Sequence, residues 1–347
     1  MANLPDLNAL ALPTLFAELV DARALRLLLS LARDEDLGQR DPSAAHSVTQ
    51  GDITSLHAIQ ADAQGRAVLR SRAAGTVAGL AALPAVIEVF EASLQTTVHC
   101  ADGSGCTAGA ALVTLEGNLR DLLALERTLL NLLSRLCGIA TVTSRCVDAV
   151  VGTGVSICDT RKTTPGLRTL EKYAVRCGGG TLHRIGLFDA VLLKDNHLAG
   201  LAPRQLAELS QRVAAAARAA GPLRFVEVEV DSLEQFVSIL ELPPGTVDIV
   251  LLDNMAPDML RRAVALRGPR RDLQLEASGG ITMNSLRAVA ECGVERISLG
   301  ALTHSAGILD LGLDIGPDLG PDLGPHLGIG GAPHTASAAR LSSPATP

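Results

Sequence analysis

The second half of the chain repeats one phrase: a short apolar run, a polar or glycine residue at its end, then a helical stretch. The runs at 155–158, 190–193, 225–228, 249–252, 273–275 and 296–299 lead into Asp159, Lys194, Glu229, Asp253, Ser278 and Gly300. Helical patterns at 201–220, 233–240 and 258–266 separate several of them. Parallel strands joined by helices are buried on both faces, which is why each run is apolar rather than alternating. In such folds the chemistry collects at the C-terminal strand ends. Six strands are clear, and 181–185 offers a seventh, so an eight-stranded ring is not fully accounted for. An open doubly wound sheet shares the rhythm. A β/α barrel is the better reading, because only closure brings so many consecutive reactive strand ends to one mouth.

The rest of the chain lacks this rhythm. Leucines and alanines recur at helical spacing over 15–37, and the helix is expected to stop before Gly38. Short β-rich runs follow at 67–72, 76–80, 97–100 and 111–115, divided by Gly and Asp, and an amphipathic helix over 119–136 leads onward. The expected fold class is therefore α/β: an N-terminal α/β sandwich-like domain with an antiparallel sheet over 1–140, then a barrel over 141–312, TIM-like and open to being incomplete. From Gly316 to Gly328 a four-residue Gly-Pro unit repeats, and an Ala, Ser, Thr and Pro-rich stretch follows. Residues 313–347 are expected to be a low-complexity, disordered tail.

Charge narrows the function. The 347-residue chain carries a formal net charge of -7, so a basic face for nucleic acid is not expected. Its three lysines, Lys162, Lys172 and Lys194, nevertheless all fall within 159–197, while arginine is used from end to end. An ammonium is a compact point charge suited to phosphate, and a guanidinium is not its equivalent. The same segment holds Arg161, Arg168, Arg176, Arg184, His183 and the single tyrosine, Tyr173. A cation cluster in an acidic protein reads as a local anion site. The seven cysteines are odd in number and never spaced as a CxxC pair, which suits reduced thiols. Residues 1–20 show no signal-peptide pattern and no apolar run is long enough for a bilayer, so a soluble cytoplasmic protein without membrane partners is expected.

Lys194 follows four apolar residues, so its stem begins in a buried strand and its charge needs an anionic partner or a shifted pKa. Glu229 and Asp253 occupy the same position on later strands. They can form salt bridges with the cations, or hold Mg²⁺ that accompanies a phosphorylated substrate. Ser278-Gly279-Gly280 and Ser298-Leu299-Gly300 make two small-residue turns after the last two strands, where barrel phosphate sites are commonly built.

These residues carry a resemblance. The run Thr160-Arg161-Lys162-Thr163-Thr164-Pro165-Gly166, together with Glu171-Lys172-Tyr173, His183-Arg184, Lys194-Asp195-Asn196-His197, Glu227-Val228-Glu229-Val230, Leu252-Asp253-Asn254 and Ser278-Gly279-Gly280, resembles the quinolinate phosphoribosyltransferase family. These are type II phosphoribosyltransferases, also called nicotinate-nucleotide pyrophosphorylases (carboxylating). The likeness extends from Glu35-Asp36-Leu37-Gly38 through Glu126-Arg127-Thr128 and Gly138-Ile139-Ala140-Thr141 to Leu302-Thr303-His304-Ser305. It implies that quinolinate and phosphoribosyl pyrophosphate give nicotinate mononucleotide, pyrophosphate and CO₂ with Mg²⁺, in NAD biosynthesis. Arg161, Lys162 and Arg184, with His183 nearby, would then hold the quinolinate carboxylates, and Thr160 is a further expected substrate-binding residue. Lys194 would contact substrate anions, Glu229 and Asp253 would face the ribose hydroxyls and the metal, and Ser278, Gly279, Gly280, Ser298 and Gly300 would take the 5'-phosphate. Lys162, Lys194, Glu229 and Asp253 are the expected catalytic set. The resemblance further implies a homodimer, or a hexamer built as a trimer of dimers, in which a second subunit's Arg127 completes the site.

The chain departs from the family pattern in an insertion at 39–50, in Cys137 where Ser is more usual, and in the repetitive tail. Two other functions compete. One is a type II phosphoribosyltransferase for another nitrogen heterocycle, of the kind linked to molybdate transport. The other is a non-catalytic phosphate- or nucleotide-binding protein on the same fold.

Overall fold

The computed structural model describes residues 4–38 and 51–317. In its N-terminal half lie β1 (Gln64–Ser71), β2 (Gly75–Thr76), β3 (Leu94–Val98), β4 (Gly105–Cys106) and β5 (Ala111–Asn118). The barrel strands are β6 (Ser156–Cys158), β7 (Val191–Leu193), β8 (Val226–Val230), β9 (Ile249–Asp253), β10 (Gln274–Ser278) and β11 (Arg296–Ser298), and β12 (Leu311–Pro317) ends the described chain.

The first sheet is antiparallel with order β12-β1-β5-β3, so the chain returns after the barrel to complete it. The expected boundary at 312 thus falls inside β12, and the one at 140 falls inside the helix Leu119–Ala149. That helix outruns the expected 119–136 because its apolar stripe continues through buried Ile139, Ala140, Thr143 and Cys146. Cys137, on the same stripe, packs against Ala78, whose N–H lies 3.2 Å from its Sγ. The expected helix over 15–37 is two helices, Leu12–Leu19 and Ala22–Leu37, because Asp21 caps the second by accepting the Ala24 N–H at 2.7 Å. The run 76–80 is strand only at Thr76. Beyond it the Leu80 and Ala81 amides turn onto the Asp102 carboxylate.

The second sheet is parallel with order β6-β11-β10-β9-β8-β7. Its first and last strands in sequence, β6 and β11, are paired, so the sheet curls back on itself. On the other side of β6 the segment at 181–185 contributes a single parallel bridge, Cys158 to Thr181, in place of the expected strand. The barrel is incomplete between that bridge and β7. Residues facing the surrounding helices, such as Val228, Val250, Leu252, Leu275 and Ile297, are buried as the apolar runs require. All seven cysteines are free, and among the described residues no helix is long and apolar enough to cross a membrane. The insertion at 39–50 and the tail beyond 317 lie outside the described residues.

Candidate active site

The strand ends of the barrel surround a cavity of about 770 Å³. Thr160, Arg161 and Lys162 enter it after β6, His183 and Arg184 after the Thr181 bridge, and Lys194 after β7. Glu229 and Asp253 come from β8 and β9, Ser278, Gly279 and Gly280 from the end of β10, and Ser298 and Gly300 from the end of β11. Arg127 is the one expected residue that does not line it. It stands on the helix Leu119–Ala149 with its side chain 65% exposed, beside Glu126 at 4.0 Å.

The cations divide by layer. Arg161, Lys162 and Arg184 have no ion-pair partner among the described residues, whereas the other two lysines do. The Arg161 Nε is buried without a hydrogen-bond acceptor. Burial, then the neighbouring charge of Arg161, pushes the Arg184 guanidinium below its usual range. Two guanidiniums that repel each other, one with an orphaned donor, are a socket for an anion. The stem of Lys162 crosses Gly300 so closely that a Cβ there would lie 2.8 Å from the lysine Cδ. Gly300 therefore serves to seat Lys162 as well as to form a turn.

At the mouth Lys194 Nζ donates to Glu229 Oε2 at 2.7 Å, with the lysine side chain 44% exposed. Asp253 accepts from Asn254 Nδ2 at 2.8 Å. Asn254 adopts a left-handed φ of 51° and its N–H donates to the Ser278 carbonyl at 2.9 Å, which locks the ends of β9 and β10 together. Gly279 and Gly280 continue that turn with φ of 89° and 61°, values that side chains resist. Ser298 Oγ donates to Ser278 Oγ at 3.0 Å across the neighbouring strand end.

Beneath this mouth lies a charged floor. Lys172 Nζ donates to Asp159 Oδ1 at 2.5 Å, and neither side chain has any exposure. Burial pushes the Asp159 carboxyl up and Lys172 opposes it. Lys172 is thus a structural cation rather than a substrate ligand, as are Arg168 and Arg176, which donate to Thr163 and to the Gly180 and Asn8 carbonyls. Tyr173 is buried, its hydroxyl on Asp102. His183 Nε2 lies 2.9 Å from Glu227 Oε2 and 3.5 Å from Glu276 Oε1, and Glu276 accepts from Arg296 Nε at 2.7 Å. Burial lowers His183, but the two carboxylates outweigh it and push it up to about 10. Burial and the Glu276 charge raise Glu227. Burial also favours protonated Glu276, but His183 and Arg296 hold it low, at about 2.

Glu276 and Arg296 went unnoticed in the sequence, and Glu227 had no role there. The signal was present: each stands two residues before a mouth residue, Glu229, Ser278 or Ser298, so the period of two puts them on the same inward face one layer down. Of the carboxylate groups, Glu229 and Asp253 suit a hard divalent cation, being oxygen donors on adjacent strand ends that are partly open to the cavity. His183, Glu227 and Glu276 also bring ligand atoms within 4.8 Å of one another, but Arg296 already supplies a cation there.

A family model described as the quinolinate phosphoribosyl transferase N-terminal domain matches residues 52–137, and the corresponding C-terminal domain matches 139–314. A Mycobacterium leprae protein named nicotinate-nucleotide pyrophosphorylase (carboxylating) is 43% identical over 265 residues, covering 76% of this chain and 90% of its own. A Bacillus subtilis protein named as a probable enzyme of the same kind is 39% identical over 263 residues, covering 76% and 87%. The solved nicotinate-nucleotide pyrophosphorylase of Francisella tularensis superposes with a TM-score of 0.74 at 34% identity, covering 86% of this chain and 98% of that one. With both domain models matched end to end and the site residues gathered at one mouth, the chain belongs to the quinolinate phosphoribosyltransferase family.

Proposed function

We propose that this chain transfers the phosphoribosyl group of phosphoribosyl pyrophosphate to quinolinate, releasing pyrophosphate and CO₂ and forming nicotinate mononucleotide. The observation that carries the reading is the trio of unpaired cations, Arg161, Lys162 and Arg184, at the cavity wall. Quinolinate has two adjacent carboxylates, and two arginine forks with a lysine match them in charge and shape. A heterocycle with one carboxylate or none would leave that trio in excess, which disfavours the alternative phosphoribosyltransferases. A pure phosphate binder would have no use for Glu229 and Asp253 opposite it.

The chemistry follows from the layout. The turns at Ser278-Gly279-Gly280 and Ser298-Leu299-Gly300 take the 5'-phosphate, and Glu229 and Asp253 face the ribose. The quinolinate ring nitrogen, held by the cation trio, forms its bond to the anomeric carbon as the bond to pyrophosphate breaks. Lys194 stands where it can meet the charge leaving on the diphosphate, so electrostatic preorganisation carries the step. Glu229 and Asp253 would hold Mg²⁺, whose contribution when bound is to neutralise that diphosphate. Ribosylation makes the ring nitrogen cationic. The electron pair released when the adjacent carboxylate leaves as CO₂ is drawn toward it, and a proton from solvent then replaces the carboxyl. A homodimer in which the partner subunit's Arg127 reaches this mouth accounts for an exposed arginine that does not line its own cavity. A cytoplasmic setting suits the free cysteines.

Purified protein given Mg²⁺, phosphoribosyl pyrophosphate and quinolinate should release CO₂ and form nicotinate mononucleotide in equal amounts. Turnover of another nitrogen heterocycle but not quinolinate would overturn the substrate and leave the reaction class. Nucleotide binding with no turnover of any heterocycle would leave only a binder.

A further inference from the structure

The weakest stave of the barrel is the segment 182–186, between the Thr181 bridge and β7. It joins no strand beyond that bridge, so ladder bonds cannot satisfy its amides, and buried amides must find acceptors. They find side chains. The Leu182 N–H donates to Asn8 Oδ1 at 2.7 Å, the His183 N–H to Asp159 Oδ1 at 2.8 Å, and the Arg184 N–H to His183 Nδ1 at 2.8 Å. The Ile185 and Gly186 amides donate to Asp189 at 2.9 and 3.0 Å. Five consecutive amides are held this way, and the middle one belongs to a cation of the cavity wall.

His183 is the member that can fail. An imidazole nitrogen that accepts an N–H carries no proton of its own, so the ring proton resides on Nε2, the nitrogen that faces Glu227 and Glu276. With the opposite tautomer Nδ1–H would confront the Arg184 N–H, and the Arg184 main chain would have to turn away. The carboxylates beside Nε2 push the imidazole up, but a second ring proton would have to sit on Nδ1, where the Arg184 N–H already points, so the geometry keeps the ring neutral with its one proton on Nε2. Glu276 is already committed to Arg296, while Glu227, fully buried, has no hydrogen-bond partner for either oxygen beyond its close approach to Nε2. A buried carboxyl so poorly satisfied is costly to stability and calls for another reason to be there.

We propose that Glu227 is a positioning residue for Arg184: it orients His183 as the Nε2-protonated imidazole whose Nδ1 fixes the Arg184 main chain at the mouth. Glu227 touches no substrate in this scheme. The kinetic half of the idea rests on the quinolinate reading given above, and the tautomer half does not.

Glu227→Gln keeps the shape and removes the carboxylate. The expected result is a quinolinate KM raised about tenfold, as for a small displacement of a binding group. The KM for phosphoribosyl pyrophosphate should stay within about twofold, and the melting temperature should be unchanged or higher, since relief of a buried, poorly paired carboxyl is not destabilising. An unchanged quinolinate KM, or both KM values rising together with a fall in melting temperature, would overturn the proposal. The second measurement needs no turnover. In ¹⁵N-labelled full-length protein the His183 ring signals, assigned by their loss in His183→Asn, should show Nε2 protonated and Nδ1 bare at neutral pH. An imidazolium, or the opposite tautomer, would overturn it. So would a stoichiometric divalent metal that the Glu227→Gln protein loses. Failure of the unaltered protein to use quinolinate would sink the functional reading instead, and the ring signals would still decide the tautomer.

Discussion

Two lysine–carboxylate pairs sit in one barrel at nearly the same separation and serve different ends. Lys172 and Asp159 are 2.5 Å apart with no exposure of either side chain, while Lys194 and Glu229 are 2.7 Å apart with 44% and 11% exposed. Distance does not separate them; the layer does. On the floor Lys172, Arg176 and Arg296 each meet a carboxylate or a carbonyl of the protein, and none of the three lines the cavity. At the mouth Arg161, Lys162 and Arg184 remain uncompensated, and the cavity they line opens to solvent. A charged residue of this barrel is structural when it and its partner are both sealed from solvent, and available to substrate when its partner is missing or the pair is open to solvent.

The comparison breaks most visibly on the floor. Lys172→Met leaves the Asp159 carboxylate buried with no cation, which should cost about 3–5 kcal/mol, a large share of the stability of an ordinary domain. Urea denaturation should show it as a steep fall in midpoint. Adding Asp159→Asn, which keeps an acceptor for the His183 amide but removes the charge, should recover most of the loss. A single variant as stable as the parent would mean that the floor pair is as idle as a surface one.

At the mouth the sign for stability reverses. Arg161→Ala removes one of two mutually repelling guanidiniums, so the melting temperature should hold or rise. Losing a charge-assisted hydrogen bond to substrate, about 1.5–3 kcal/mol, should lower kcat/KM for quinolinate by about 10- to 100-fold. Steady-state kinetics at fixed phosphoribosyl pyrophosphate reads it. If stability falls instead and quinolinate kinetics hold, Arg161 belongs with the floor.

The sequence made the mouth legible and left the floor dark, for a physical reason. A polar residue that ends an apolar run stands out by contrast, so Lys194, Glu229 and Asp253 were visible at the mouth, and Asp159 was the one floor residue seen in the same way. A polar residue inside a run shows only as an interruption: Glu227 and Glu276 read as imperfections in strands, although the period of two aims them inward. The cation-rich segment 159–197 suffered the opposite error. Its lysines looked alike, and only helix geometry could show that Lys172, on Arg168–Cys177, points under the mouth while Lys162 and Lys194 point into it. The missing stave is a third case, because a segment held by Asn8, Asp159, His183 and Asp189 side chains leaves no periodic trace. Arg127 was legible only through family resemblance, since nothing in its own helix distinguishes it from a solvated arginine.

The finest test exchanges lysine for arginine in both layers. Lys194→Arg keeps the charge and the partly exposed partner Glu229, so stability should change by no more than about 0.5 kcal/mol, as exposed pairs allow. Its compact ammonium becomes a broad planar fork, however, and a point charge meant for a diphosphate is not replaced by one. A fall of about tenfold in kcat/KM for phosphoribosyl pyrophosphate is expected, on the order of 1.4 kcal/mol, with the melting curve unmoved. Lys172→Arg should do the reverse, because a fully buried site has no room for the larger group and overpacking costs about 1–3 kcal/mol, while any kinetic change should follow the loss of folded protein. Wild-type kinetics in Lys194→Arg would show that the mouth needs only a positive charge there, and the distinction between the two layers would then rest on Arg161, Lys162 and Arg184 alone.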